Sequence, residues 1–101
     1  MELIQGTNKP ITLTFSEEVD FSDMSVELVN FLGIIKEWKK DELIINGPVV
    51  ICPLAQEETI NFPEGGANLE IKWIDDGVTE FADLVEIDIV PRMNQTILEV
   101  E

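Results

Sequence analysis

From Ala67 to Asp75 apolar and polar residues alternate, with Leu69, Ile71 and Trp73 set against Glu70 and Lys72. Successive side chains of an extended chain point to opposite sides, so this is the pattern of a strand with one face in a core. Asp75-Asp76-Gly77 follows, and Asp and Gly tolerate positive φ. The chain then returns as Val78 to Val90, with Val85, Ile87 and Ile89 on one face and Glu86 and Asp88 on the other. The two segments are expected to form the central hairpin of an antiparallel sheet.

The rest of the chain repeats that grammar in shorter pieces. Ile11 to Phe15 alternates and reads as a strand, and Glu2 to Gln5 as a short edge strand. Ser16 to Asp23 is acidic and rich in turn formers, a loop from which Val19 or Phe21 tucks back onto the core. Met24 to Leu28 is a strand that runs on toward Phe31, Gly33 is its turn, and Ile34 to Lys39 is its hairpin partner. Asp41-Glu42 makes a turn, Leu43 to Asn46 a short strand and Asn46-Gly47-Pro48 a break. Val49 to Cys52 is wholly apolar, so both its faces are expected to meet protein, and Pro53 ends its ladder.

Only Leu54 to Phe62 departs from the pattern. Its residues AQEET favour one helical turn, which is all that fits between Pro53 and Pro63. It reads as a crossover between sheets, with Leu54, Ile60 and Phe62 plugging the end of the core and Gln56 to Glu58 facing water. About seven short strands with turn signals between them and no helix-length period describe an all-β antiparallel sandwich with one short helical turn. The 101 residues make one domain, residues 1–91, followed by a tail, 92–101. Ile97, Leu98 and Val100 in that tail form either a last strand or an apolar segment that needs a partner.

Several kinds of chemistry lack their residues. There is no histidine, so the one cysteine, Cys52, has no Cys–His partner and reads as a small buried hydrophobe. The acidic pairs Glu17-Glu18, Asp41-Glu42, Glu57-Glu58 and Asp75-Asp76 all fall at turns, where they do not converge on a cleft as acid/base catalysis requires. The chain reads as a non-enzyme without cofactors. Calcium takes oxygen ligands, yet neither SEEVDFSD nor IDDG has the glycine and terminal glutamate of a twelve-residue calcium loop, so both read as exposed acidic turns.

Charge sharpens the exclusions. With 21 acids against six bases the net charge is −15, which argues against nucleic acid, whose phosphates require clustered lysine and arginine. Residues 1–50 carry nine acids and four bases, and 51–101 carry twelve acids and two bases. The second half is thus the better face for a basic partner, or simply a solubilising surface. The start MELIQGTNK lacks a basic region followed by an apolar core, and no apolar run approaches the ~20 residues of a spanning helix. The expected location is the cytoplasm, with no membrane contact. Asn94-Gln95-Thr96 fits a glycosylation acceptor only by chance in such a protein.

What remains is contact with other proteins. Lys36, Lys39 and Lys40 are the only closely spaced bases, and Trp38 lies among them. Trp38 is read in two ways, as a core or sheet-edge tryptophan and as a half-exposed interface anchor. With Ile97, Leu98 and Val100 it makes up the candidate partner-binding set.

The order Gly6-Thr7 before ITLTF, then Val49 to Leu54, then Gln56-Glu57-Glu58-Thr59 closing at Phe62, then Gly66 with LEIKW and a return strand ending at Pro91-Arg92 resembles a known family. It is that of short immunoglobulin-like proteins of phages and prophages of Firmicutes. The chain is also similar in outline to the N-terminal domains of phage baseplate upper proteins. The likeness runs from Ile4 to about Arg92. It implies an immunoglobulin-like sandwich with a structural or assembly role in a phage tail or baseplate, made in the bacterial host and carried into the virion, with no catalytic residue to transfer; its open sheet edges or the Arg92 to Glu101 tail are then expected to pair with copies of the chain itself or with a neighbouring virion protein. Members of the family place Ser or Thr before the QEET segment; Ala55 stands there in this chain, leaving Gln56 or a backbone carbonyl to cap the helical turn. The alternative function is an immunoglobulin-like carbohydrate-binding module in which Trp38 or Trp73 stacks on a ligand.

Overall fold

A computed structural model describes residues 1–91, with the backbone alone at 83 and 84. Its strands are β1 (Glu2–Ile4), β2 (Ile11–Thr14), β3 (Asp23–Asn30), β4 (Gly33–Lys39), β5 (Ile44–Asn46), β6 (Val49–Cys52), β7 (Gly65–Asp75) and β8 (Val78–Val90). A 3-10 turn, Lys40–Glu42, follows β4, and one helical turn, α1 (Gln56–Thr59), lies between β6 and β7. Five strands in the order β1-β8-β7-β3-β4 form one sheet and three in the order β2-β6-β5 form the other. The all-β sandwich read from the alternation is what the chain builds.

The core lies between the inward faces. Val26, Leu28, Leu69 and Ile71 of the larger sheet and Val50 and Cys52 of the smaller one are fully buried. Each of the aliphatic side chains contributes about 1.5–3 kcal/mol by leaving water. The long hairpin takes the expected form: Asp75 pairs with Val78 across a two-residue turn whose φ values are 50° at Asp76 and 77° at Gly77. Positive φ at both positions matches the right-handed twist of the flanking strands, so the turn and the alternation specify the same register.

The crossover also follows the sequence. Leu54 and Phe62 are buried, Ile60 is half-buried, and Glu57 and Glu58 are exposed. Ala55 offers no side-chain cap; its carbonyl instead accepts from the N–H groups of Glu58 (3.1 Å) and Thr59 (3.0 Å). What sequence reasoning missed is the anchoring. Thr59 is fully buried and its Oγ1 donates to the carbonyl of Thr7 at 2.7 Å. Gln5 Nε2 donates to the carbonyl of Phe62 at 2.6 Å. Two side chains thus tie the crossover to the segment after β1, and each satisfies a carbonyl that would otherwise lose its water without compensation.

Eight strands pair among the described residues, the short segments Glu2–Ile4 and Ile44–Asn46 included as expected. Three expectations need correction. The sheets are antiparallel except that β1 runs parallel to β8, with Leu3 opposite Ile89, so the first described strand is completed by the last described one. The turn after β3 is Phe31-Leu32 rather than Gly33; Gly33, at φ 131°, opens β4 in a conformation that a side chain would strain. Finally, β6 buries only one face fully, since Val49 and Ile51 are half-buried, the outward face of a three-stranded sheet being uncovered.

Candidate functional site

Among the described residues β4 is the last strand of the larger sheet, bonded to β3 on one side only. Its free edge is seven residues long, whereas the other edge strands, β1, β2 and β5, have three or four. An open edge carries a row of unpaired N–H and C=O groups, and short edge strands are one way to avoid unwanted pairing. β4 lacks that protection.

The tip of the β3–β4 hairpin departs further from what solubility favours. Phe31 is 93 % exposed, Leu32 78 % and Ile34 59 %. Hairpin turns are ordinarily Asn, Asp or Gly, so two large apolar residues there serve neither the turn nor the core. The tip is held in place locally: Asn30 Oδ1 accepts from the N–H of Leu32 at 2.9 Å. Beside it opens a cleft of about 440 Å³ whose lining includes Leu32, Ile34, Ile35, Asn61, Phe62 and Pro63.

A bulge sets which β4 residues look outward. Leu28 pairs with Lys36 but Val29 with Ile34, so Ile35 is an extra residue in β4. Strict alternation would put Ile35 on the outer face, opposite to Lys36 and Trp38. The extra residue lets Ile35 pack against the core as well and leaves Ile34 outward. Lys36, on the Trp38 side, reaches past the indole, with its Nζ 5.4 Å from the ring centre, to an ion pair with Glu58 on α1.

Three of the chain's six basic residues, Lys36, Lys39 and Lys40, stand on β4 and the turn that follows it. Lys40 Nζ donates to the carbonyl of Phe21 at 2.8 Å, which ties down the acidic loop before β3. Lys39 is exposed and makes no ion pair among the described residues. The edge is therefore apolar at its Ile34 end and of mixed charge toward its other end, where Glu37 and Lys39 are both exposed.

Of the four residues singled out in the sequence, Trp38 is placed otherwise than an exposed anchor would be. It is 1 % exposed, pairs with Val26 on the inner face, and donates from Nε1 to the carbonyl of Pro53 at 2.7 Å. Its own strand carries the exposed surface, but the indole serves the core. Ile97, Leu98 and Val100 lie outside the described residues. Trp73 is half-buried, stacked on Phe21 at 5.4 Å between ring centres, with Nε1 donating to Glu80 at 2.9 Å. The signal for the site that was overlooked is Phe31-Leu32 itself, large apolar residues where a hairpin must turn.

Cys52 is fully buried and desolvation pushes its thiol up to about 12, so it is a neutral core residue. Among the described residues no three acidic or thiol side chains gather in a way that would hold a metal ion. No helix among them is long and apolar enough to cross a membrane.

No family model matches the chain, and no curated protein matches it. Among solved structures it is similar to the V domain of amphioxus IgVJ-C2, with 10 % identity over 90 % of this chain and 98 % of that one and a TM-score of 0.43.

Proposed function

We propose that this chain is a non-enzymatic structural or assembly protein of a phage or prophage tail or baseplate, an immunoglobulin-like sandwich acting through protein–protein contact. The observation that carries the reading is the β4 edge, where a long strand with one edge free among the described residues, an exposed Phe31-Leu32 tip and an adjoining cleft occur together. The phage context comes from the sequence resemblance from Ile4 to about Arg92. That resemblance implies a protein made in the cytoplasm of a bacterial host and then carried in the particle. The alternative of a carbohydrate-binding module loses the Trp38 platform to the core, and on Trp73 one face is already covered by Phe21.

Antibody raised against the purified chain tests the reading directly. Labelling of the tail end of particles released from the source strain, or of tail assembly intermediates on a gradient, is the expected result. Absence of the protein from both overturns it.

A further inference from the structure

Past the bulge, the β4 side chains that face solvent are Glu37 and Lys39, with the buried Trp38 between them. Neither charge is matched inside its own sheet. Glu37 stands opposite Glu27, whose carboxylate already meets Lys72 at 3.7 Å, and Lys39 stands opposite Ser25. The same two residues carry the edge that is open among the described residues. The N–H of Lys39 donates to Glu42 Oε1 at 3.2 Å, so it serves the side of β4 away from β3. Alternate residues of a strand send N–H and C=O to the same side, so Glu37 presents its main-chain groups there as well.

A second copy of β4 can lie antiparallel against this edge about a two-fold axis, the arrangement of a closed dimer. Directly opposed residues share a face, so the axis passes through a residue and not between two. Through Ile34 or Ile35 it would fall on the bulge, where the alternation is broken. Through Lys36, Glu37 or Lys39 it would set that charged residue against its own copy, and like charges directly opposite are destabilising. Through Trp38 it sets Glu37 opposite Lys39 of the second copy and Lys39 opposite Glu37 of the second copy. The order Glu37-Trp38-Lys39 is therefore complementary to itself, as an interface shared by two identical chains requires.

We infer that two copies of this chain join β4 to β4 about an axis at Trp38, making their larger sheets continuous. The ladder runs from Glu37 to Lys39 of each copy, as short as the β1–β8 and β5–β6 ladders that the fold already uses. Lys39 N–H exchanges the Glu42 carboxylate for the carbonyl of Glu37 in the second copy. The ladder stops where Lys40 enters the 3-10 turn; Lys36 stays on Glu58, and Lys40 on the carbonyl of Phe21. The net charge of −15 on each copy opposes approach, but at 0.15 M salt that repulsion is screened beyond about 8 Å, and the opposed pairs lie within that distance. From Trp38 to Leu32 is about 20 Å of strand, so the two exposed Phe31-Leu32 tips stand at opposite ends of the dimer, both free for a neighbouring protein. This deepens the assembly reading and rests on it.

Sedimentation velocity of the full 101-residue chain at 0.15 M salt is the test. The expected result is a reversible association that grows with concentration and stops at two copies. Glu37→Lys and Lys39→Glu each set like charges at both contacts, and each should weaken the dimer at least about tenfold in association constant, 1.4 kcal/mol. Both changes in one chain restore the complement and the dimer, and so does an equimolar mixture of the two single variants. Both positions are exposed, so the circular dichroism of every variant stays that of the parent. A chain that stays monomeric at every concentration, growth past two copies, or a dimer untouched by the single variants overturns the inference. So does a loss that neither the double variant nor the mixture reverses, and so does slow exchange of the Glu37 amide in a strictly monomeric chain, which would mean that the edge is covered from within. A monomer that still labels particles overturns the dimer but leaves the assembly reading, and a dimer missing from particles does the reverse.

Discussion

The indole Nε1 of Trp38 donates to the carbonyl of Pro53 at 2.7 Å, joining the edge strand of one sheet to the end of β6 in the other. Proline has no N–H and ends the β6 ladder, and its carbonyl is met by a side chain from across the core. Trp38→Phe keeps most of the buried ring and removes the donor. It should lower unfolding free energy by about 1–3 kcal/mol, and Trp38→Ala, which also leaves a cavity, by about 3–5 kcal/mol. Urea denaturation followed by circular dichroism measures both.

Thr59 makes a similar test of the crossover. Its buried Oγ1 bonds the carbonyl of Thr7, so Thr59→Val holds the shape and strands that oxygen. The expected loss is about 1–3 kcal/mol, well above what an exposed Thr-to-Val change such as Thr12→Val produces.

Cys52 predicts a pH dependence. Its folded pKa is raised from 9.0 to about 12, so between those values the unfolded chain loses a proton that the native one keeps. The native state therefore binds more protons in that window, and stability falls as pH rises, by up to about 1.4 kcal/mol per unit. Below pH 9 this contribution is flat. Denaturation midpoints measured from pH 8 to 11 should decline less steeply in Cys52→Val than in the parent, and a thiol reagent should label the native parent only as fast as it opens.

At the hairpin turn Gly77 has φ 77° and no atom within 4 Å of where a Cβ would stand. Gly77→Ala therefore costs conformational strain alone, about 1–2 kcal/mol, and Asp76→Gly costs little, because the glycine accepts φ 50° freely. Thermal unfolding of the pair separates the two.

Phe31 and Leu32 should behave oppositely to the core. Phe31→Ser with Leu32→Ser changes stability by no more than about 0.5 kcal/mol per site, since both are exposed, and raises solubility. If the tip is a contact surface, particle incorporation is lost in the same variant while its circular dichroism spectrum stays that of the parent.

The strands were legible wherever one face is buried and the other wet, as in β7, where Leu69, Ile71 and Trp73 report a period of two directly. The Asp76-Gly77 turn was legible for the same reason, because few residues tolerate its φ values. The bulge at Ile35 was not, since an inserted residue leaves Ile-Ile-Lys-Glu-Trp reading as plain alternation. Nor was the burial of Trp38 between lysines: Lys36 shares its side of the strand, and only the position of Glu58 on α1 explains how a charge sits there. The candidate edge was visible as a lysine cluster, but its exposure depends on β4 being last in the sheet, which pairing order decides and local sequence does not.

The parallel pairing of Leu3 with Ile89 bears on how the molecule comes into being. A ribosome adds about 5–20 residues per second, so the first strand waits roughly 4–17 s for the last to emerge. Until then β8 has not covered β7, and β1 has no place in the sheet. Loop closure over more than eighty residues precedes the final contact, which makes this a slow, late-closing fold. A nascent chain of this kind spends its synthesis with one side of its larger sheet unfinished.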